Sequence, residues 1–264
     1  MPVSRPRAAP PGAPRGDFPA VEFDRVGYVL ADGRPLLERF SLAVAGGETV
    51  VLVGRSGVGK TTVLKLVNRL LEPASGELRV AGRPTVEWDP VALRRRIGYV
   101  IQEVGLMPHL TVAANVGLVP DLLGWDRGRV AARTAELLTM VGLPADEYGD
   151  RWPHQLSGGQ RQRVGVARAL AADPPVLLLD EPFGALDPMT RLDLQREFRD
   201  LMRRLGKAAL LVTHDLREAL AVGDRIGLLA DGGLAEVAAP DGFLAASHPE
   251  VRRLVASLDG VPDA

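Results

Sequence analysis

Cysteine is absent from the 264 residues, which excludes disulfides and thiolate metal sites and suits a reducing compartment. An excess of charge of one sign is absent too. Thirty-two Lys and Arg face 33 Asp and Glu for a net charge of -1, so bulk electrostatics gives no sign of a nucleic-acid partner. No apolar run approaches the roughly 18 to 20 residues that span a bilayer, so any membrane role is expected to come through a partner. The opening stretch, MPVSRPRAAPPGAPRGDFPA, is rich in Pro and Arg and lacks the apolar segment of a secretory signal. Residues 1–20 are therefore expected to be a disordered tail. What remains is 46% hydrophobic and 25% charged overall, as in an ordinary globular protein, and its length fits one elaborated domain over 21–264.

From Val21 the runs VEFDRVGYVL and FSLAVAGGE alternate apolar with polar residues, which predicts half-solvated antiparallel strands. Five runs, TVVLVG, RIGYVIQ, PVLLLDE, AALLVTH and RIGLLA, are continuously apolar and predict strands buried on both faces of a mostly parallel sheet. The expected fold class is α/β. Val130, Thr134, Leu137, Leu138 and Val141 recur at helical spacing in RVAARTAELLTMVGL, and a helical subdomain is expected over about 103–165.

Residues 54–61, GRSGVGKT, fit the pattern G-x-x-x-x-G-K-[ST] between a strand and a helix. Gly54, Gly57 and Gly59 let the backbone curl so that N–H groups and a helix N-terminus point at phosphate oxygens. Lys60 supplies a point charge for β and γ phosphates, and the Thr61 hydroxyl is a ligand for Mg²⁺. A chance glycine turn is the bland alternative, but the strand and helix on either side are the context a phosphate loop requires.

The run VLLLDE ends in Asp180 and Glu181 at the carboxyl edge of the predicted sheet, where open α/β sheets bind ligands. Asp180 suits a metal with its water shell, and Glu181 suits orienting or deprotonating a water. His214 and Gln102 close two further runs and should emerge at the same edge: the His as a hydrogen-bond donor to the γ phosphate, the Gln on the metal or the water. Each taken alone reads better as a structural polar residue at a strand end than as a functional group. A second glycine turn, Ser157-Gly158-Gly159, precedes QRQRVGVARAL, where Val164, Ala167, Leu170 and Ala171 form a helical apolar face. Such a helix start presents unpaired N–H groups and attracts an anion. A plain N-cap accounts for Ser157 but not for two glycines followed by Gln160. Because the turn follows the helical insertion and not a core strand, the expected solution is a head-to-tail dimer in which each turn caps the γ phosphate held by the other copy.

Together, LSGGQ, GRSGVGKTT, VLLLDEP, GALD at 184–187 and THD at 213–215 resemble the ATP-binding subunit of ABC transporters, in the family's order and over nearly the whole chain from Val21. The resemblance implies a phosphate-loop core with an antiparallel β subdomain and a helical subdomain. It implies ATP and Mg²⁺ as cofactors, with Gly54, Arg55, Ser56, Gly57, Gly59, Lys60, Thr61 and Thr62 around the nucleotide and Tyr28 stacked on its adenine. Glu181, His214 and Gln102 become the catalytic set and Thr61, Gln102 and Asp180 the metal set. Leu156, Ser157, Gly158, Gly159 and Gln160 become the turn offered to the partner's ATP, and Asp187 a dimer contact.

That resemblance implies a motor subunit, peripheral on the cytoplasmic face of a membrane, coupled to separate permease subunits and indirectly to a solute-binding protein. The phrases VNRLLEPASGE, DPVALRRRIGYVIQEVGLMPHLTV and LVPDLLGW are similar to the branch that imports glycine betaine, carnitine, choline or proline, in which some members append regulatory domains not expected in this chain. Glu103 is a departure, standing where many members of that branch have Gln. An importer for another small solute is the nearest alternative. A soluble ATPase of this family acting on DNA or the ribosome would carry a long coiled coil or two copies of each motif; the sequence has neither.

Overall fold

The computed structural model describes residues 18–102, 104–184 and 186–259, so most of the expected N-terminal tail, residues 1–17, and Glu103 lie outside the described residues. Ala20, expected in the tail, already donates its N–H to the Val44 carbonyl at 2.8 Å.

Strands β1 (Val21–Val29) and β2 (Pro35–Val44) form an antiparallel pair, followed by β3 (Thr49–Val53), the phosphate loop and α1 (Lys60–Val67). Next come β4 (Ser75–Val80), β5 (Arg83–Pro84), α2 (Pro90–Arg95) and β6 (Ile97–Val100). Helices α3 (Val112–Leu122), α4 (Arg127–Met140), α5 (Ala145–Tyr148) and α6 (Gly158–Leu170) then separate β6 from β7 (Val176–Asp180). After α7 (Pro188–Leu205) the chain runs through β8 (Ala208–Thr213), α8 (Leu216–Val222), β9 (Arg225–Ala230) and β10 (Gly233–Ala238). Helices α9 (Pro240–Leu244) and α10 (Pro249–Ala256) come last.

Two sheets result, one in the order β2-β1-β4-β5 with antiparallel pairing and one in the order β10-β9-β3-β8-β7-β6. Within the second, β9, β3, β8, β7 and β6 run parallel and β10 antiparallel. The continuous apolar runs are explained by burial on both faces of this sheet. Val50, Leu52, Leu210, Val212 and Leu178 join Leu64, Val67, Phe23 and Phe40 in one core cluster. Their neighbours Val51, Val53, Leu211, Leu177 and Leu179 join Val164, Leu170, Leu138 and Phe198 in the other. The alternating runs, by contrast, form the smaller sheet.

In the helical region α3 packs against α4 and α6. Val130, Thr134, Leu137 and Leu138 are buried along α4, as their spacing predicts. Helix α6 continues to Leu170, five residues past the expected end of the subdomain, because its apolar face goes on packing beneath β6. One further boundary differs from expectation. The strand of RIGYVIQ stops at Val100, and Gln102 lies in a turn closed by a hydrogen bond from Val104 N to the Ile101 carbonyl (2.9 Å). The stretch GGLAEVAAP contains β10, paired with β9 through a register shift between Leu234 and Glu236.

Candidate functional site

Strand register brings the site together. In the parallel sheet Val53 pairs with Thr213, Asp180 with Val212, and Val100 with Leu179, so β3, β8, β7 and β6 end nearly level. Each of these ends carries a reactive or anion-binding group: the phosphate loop after β3, His214 after β8, Glu181 after Asp180 on β7, and Gln102 two residues after β6. Ser56, Gly57, Gly59, Lys60, Thr61, Thr62, Gln102, Glu181 and His214 line one cavity of about 400 Å³, with Leu36 of β2 in its wall.

Gly57 and Gly59 hold positive φ, 81° and 110°, and Gly59 is the N-cap of α1. Glycine is needed there because other residues pay for the left-handed region. Gly54 has φ outside that region but meets β9 closely: a Cβ there would lie 2.5 Å from the Leu229 carbonyl oxygen. Lys60 is buried, and its ammonium donates to the carbonyls of Gly54 (2.7 Å) and Arg55 (2.9 Å). Two of its three protons thus fix the side chain across the loop, leaving one for a ligand. Burial lowers the Lys60 pKa, while Glu181 and Asp180 oppose the shift. The Arg55 side chain points out of the cavity toward Glu250 of α10, at 3.1 Å.

The Thr61 hydroxyl donates to Asp180 Oδ1 at 3.1 Å. Asp180 is buried, and burial raises its pKa against the pull of that hydrogen bond. Beside it on β6, Tyr99 is pushed up to about 12 by burial and then by the Asp180 charge. Glu181 comes next with φ 44°, an uncommon conformation for a non-glycine residue, fixed by its N–H donating to the Val212 carbonyl (2.9 Å) and by its carbonyl accepting from Gly184 N (3.2 Å). The strained turn lifts its carboxylate into the cavity. There Glu181 Oε2 meets His214 Nδ1 at 3.2 Å and accepts from Gln102 Nε2 at 3.5 Å. Behind His214, the Thr213 hydroxyl accepts from Asp215 N (3.0 Å) and donates to buried Glu218 (2.9 Å).

Not every expected site residue stands here. Tyr28 is half-buried on β1, opposite Leu37, and packs on the core between the small sheet and one face of the large one; Leu36, beside Leu37 on β2, is the residue that reaches the cavity. Residues 156–160 do not line the cavity. Leu156 is buried, Ser157 and Gly158 are exposed, and Ser157 Oγ accepts from Gln160 N (3.2 Å) while Gln160 Oε1 accepts from Ser157 N (2.9 Å). This reciprocal capping box accounts for Gln160 as well as Ser157, which corrects the view that a plain N-cap leaves the Gln unexplained. Asp187 is the exposed N-cap of α7 and accepts from Thr190 N at 3.1 Å; hydrogen bonding to Thr190 holds its carboxyl below the usual range. Leu36, Tyr99 and Glu218 belong to none of these motifs, and only the folded structure brings them here.

Fold and cavity together define a phosphate-loop protein with the acids of a nucleotide site opposite its lysine. Residues 37–184 match the family model described as ABC transporter, and the chain belongs to that family. It is 49% identical over 224 residues to the glycine betaine/carnitine/choline transport ATP-binding protein OpuCA of Bacillus subtilis, covering 85% of this chain and 59% of that protein. It is 50% identical over 220 residues to the osmoprotectant import ATP-binding protein OsmV of Salmonella typhimurium, covering 83% and 58%. The chain therefore spans a little under three fifths of these curated relatives. Among solved structures, the ATP-binding cassette MJ0796, a dimer in a post-hydrolysis state bound to ADP and Pi, superposes with a TM-score of 0.72 at 34% identity, covering 83% of this chain and 98% of that one.

Proposed function

We propose that the chain is the ATP-hydrolysing subunit of an importer for osmoprotectants such as glycine betaine, carnitine, choline or proline. The observation that carries the reading is the convergence of four parallel strand ends on one cavity, with Lys60 on one wall and Glu181, His214 and Gln102 on the other. The substrate class is supported by the transport functions of OpuCA and OsmV.

In this reading the N–H groups of the loop and the free proton of Lys60 hold the phosphates. Glu181 orients the attacking water and accepts its proton, and His214 and Gln102 hold the Glu181 carboxylate from two sides. Mg²⁺ fits the residues present: the Thr61 hydroxyl and Asp180 carboxylate stand 3.1 Å apart with Gln102 across the cavity. That is the small set of hard oxygen donors this ion takes when water and phosphate complete its shell. Bound there, it would supply positive charge to offset that of the phosphates.

A second copy completes the site. Gly159 has an internal reason to be glycine, since a Cβ would lie 2.8 Å from Thr190 Cγ2. Gly158 has none: the nearest atom, Leu186 Cδ2, would be 3.8 Å away. An exposed helix start kept bare without an internal need fits the approach of a partner's γ phosphate, and the MJ0796 dimer supports the arrangement. Among the described residues no helix is long and apolar enough to cross a membrane. Transport then requires separate permease subunits, with the chain peripheral on the cytoplasmic face and a solute-binding protein as an indirect partner. Exposed Ile101 (39%) precedes Gln102, and exposed Met107 (40%) follows five residues later; apolar side chains along this stretch suit the docking of a permease subunit.

Glu181→Gln tests the reading. The variant is expected to bind ATP, to lose roughly 10² to 10⁴ in turnover because no base remains for the water, and to elute as an ATP-dependent dimer. A variant that stays monomeric at saturating ATP argues against the shared site.

A further inference from the structure

The turn that carries Gln102 is anchored at its far end to α6. Val104 N closes the turn on the Ile101 carbonyl (2.9 Å), and Arg168 reaches across from α6 to donate to the Val104 carbonyl through Nη2 (2.6 Å) and to the Gly105 carbonyl through Nη1 (2.7 Å). The Val104 side chain is buried against the same helix, directly over Gly165, where a Cβ would lie 2.5 Å from Val104 Cγ1. Gly165 and Arg168 are three apart and share one helix face.

Val104 has φ 58°. That conformation is costly for a β-branched residue and persists only where its surroundings over-determine it. The two hydrogen bonds from Arg168 and the notch at Gly165 are what hold it. Neither Arg168 nor Gly165 touches the cavity.

We propose that Arg168 is a positioning residue for Gln102, and that α6 thereby links the two nucleotide sites of the dimer. The proposal rests on the shared-site reading above. Helix α6 begins at Gly158, the exposed turn offered to the partner's γ phosphate, and ends at Leu170, beyond Arg168. It spans about 20 Å at 1.5 Å per residue. A rigid rod of that length, seated at one end on the partner's nucleotide and clamped near the other to the Gln102 turn, sets the distance of Gln102 from Glu181 in the chain's own site. That contact stands at 3.5 Å, so a small movement of α6 makes or breaks it. Occupancy of one site is then felt by the glutamine of the other.

Three variants test the coupling: Arg168→Leu, Gly165→Ala, and Gly165→Ala combined with Val104→Ala. ATP affinity, melting temperature and the ATP dependence of hydrolysis are measured for each beside the wild-type chain. The first two are expected to bind ATP within about twofold of wild type, because the phosphate loop is untouched. Turnover should fall roughly ten- to a hundredfold, as for catalytic groups displaced by about an ångström. The Hill coefficient should fall from near two, the ceiling for two sites, toward one. A general loss of stability lowers active protein without lowering cooperativity, so the Hill coefficient separates positioning from mere packing. In the double variant the shorter side chain at 104 makes room for the methyl group at 165, and both turnover and cooperativity should recover. Folded Arg168→Leu and Gly165→Ala variants with wild-type turnover and cooperativity overturn the coupling, as does lost turnover with cooperativity intact. Should Arg168→Leu not fold, the Gly165→Ala variant and its rescue decide alone: no cooperativity lost, or none regained on rescue, overturns the coupling. A wild-type chain that hydrolyses ATP with a Hill coefficient of one instead overturns the shared-site reading on which the proposal stands.

Discussion

Lys60 is held at the bottom of the phosphate loop by two backbone carbonyls, so its charge is presented by a side chain already ordered before any phosphate arrives. In the proposed role, Lys60→Ala deletes a charge-assisted contact to the β and γ phosphates. ATP affinity should fall about ten- to a hundredfold, and binding unchanged in a fluorescent-nucleotide titration contradicts the assigned role. Lys60 was legible from its place in the G-x-x-x-x-G-K-[ST] pattern, and Asp180, Glu181 and His214 because each ends or directly follows an apolar run that predicts a buried strand. Glu218 was not legible, being one acid among many until its burial behind His214 is seen. Burial pushes its pKa up to about 8 from an ordinary 4.5, with Asp215 and Glu181 raising it further and Thr213 and Arg191 opposing. Between these values the folded chain keeps a proton that the unfolded chain has released. Stability therefore falls as pH rises from about 5 through about 8, by at most about 1.4 kcal/mol per pH unit from this group. In Glu218→Gln that part of the slope should vanish. Urea unfolding at pH 5.5, 7 and 8.5 reads the difference, and identical slopes in variant and wild type mean that Glu218 is not the buried acid described.

The strands that carry the site follow from composition alone, since a segment such as VLLLD can be buried on both faces only in a sheet covered on both sides. Where the strands end was harder to read. The run RIGYVIQ stays apolar through Ile101, but Ile101 is exposed and its carbonyl closes a turn instead of continuing the ladder. Helix α6 shows the same limit from the other side. Its apolar face was visible in Val164, Ala167 and Leu170, whereas the roles of Gly165 and Arg168 depend on Val104 and Gly105, some 60 residues earlier. The start of α6 also separates two kinds of glycine need. Gly159→Ala forces a methyl group against Thr190 of α7, a stiff β-branched side chain, and is expected to destabilise the fold by about 1–3 kcal/mol. Gly158→Ala meets nothing closer than 3.8 Å and gains helix propensity, so stability should hold or rise slightly. Its ATPase activity should fall nonetheless, because in the proposed shared site the methyl group intrudes where the partner's nucleotide approaches. Denaturant midpoints and turnover measured on both variants check the split, and a fully active Gly158→Ala chain removes the reason given for that glycine.

At the scale of the whole molecule, the proposed shared site has the lysine and the turn at 157–159 of one chain serve different cavities, which makes complementation between two defective chains possible. Lys60→Ala spoils the phosphate loop and leaves residues 157–159 intact. Ser157→Arg leaves the loop intact and blocks the turn by bulk and by an added charge at a helix start that disfavours cations. Each variant alone has only spoiled sites, since every site in a two-fold dimer takes one loop and one turn. Mixed together, they form heterodimers in which one site combines the good loop of one chain with the good turn of the other, while the second site collects both lesions. With random pairing half of the dimers are mixed and half of their sites are sound, so activity should recover to at most about a quarter of wild type. Coupling through α6 lowers that ceiling, because the sound site is left without an occupied neighbour. Steady-state hydrolysis by the equimolar mixture, against each variant alone at the same total concentration, gives the answer. A mixture no more active than the sum of its halves means that loop and turn do not meet across two copies.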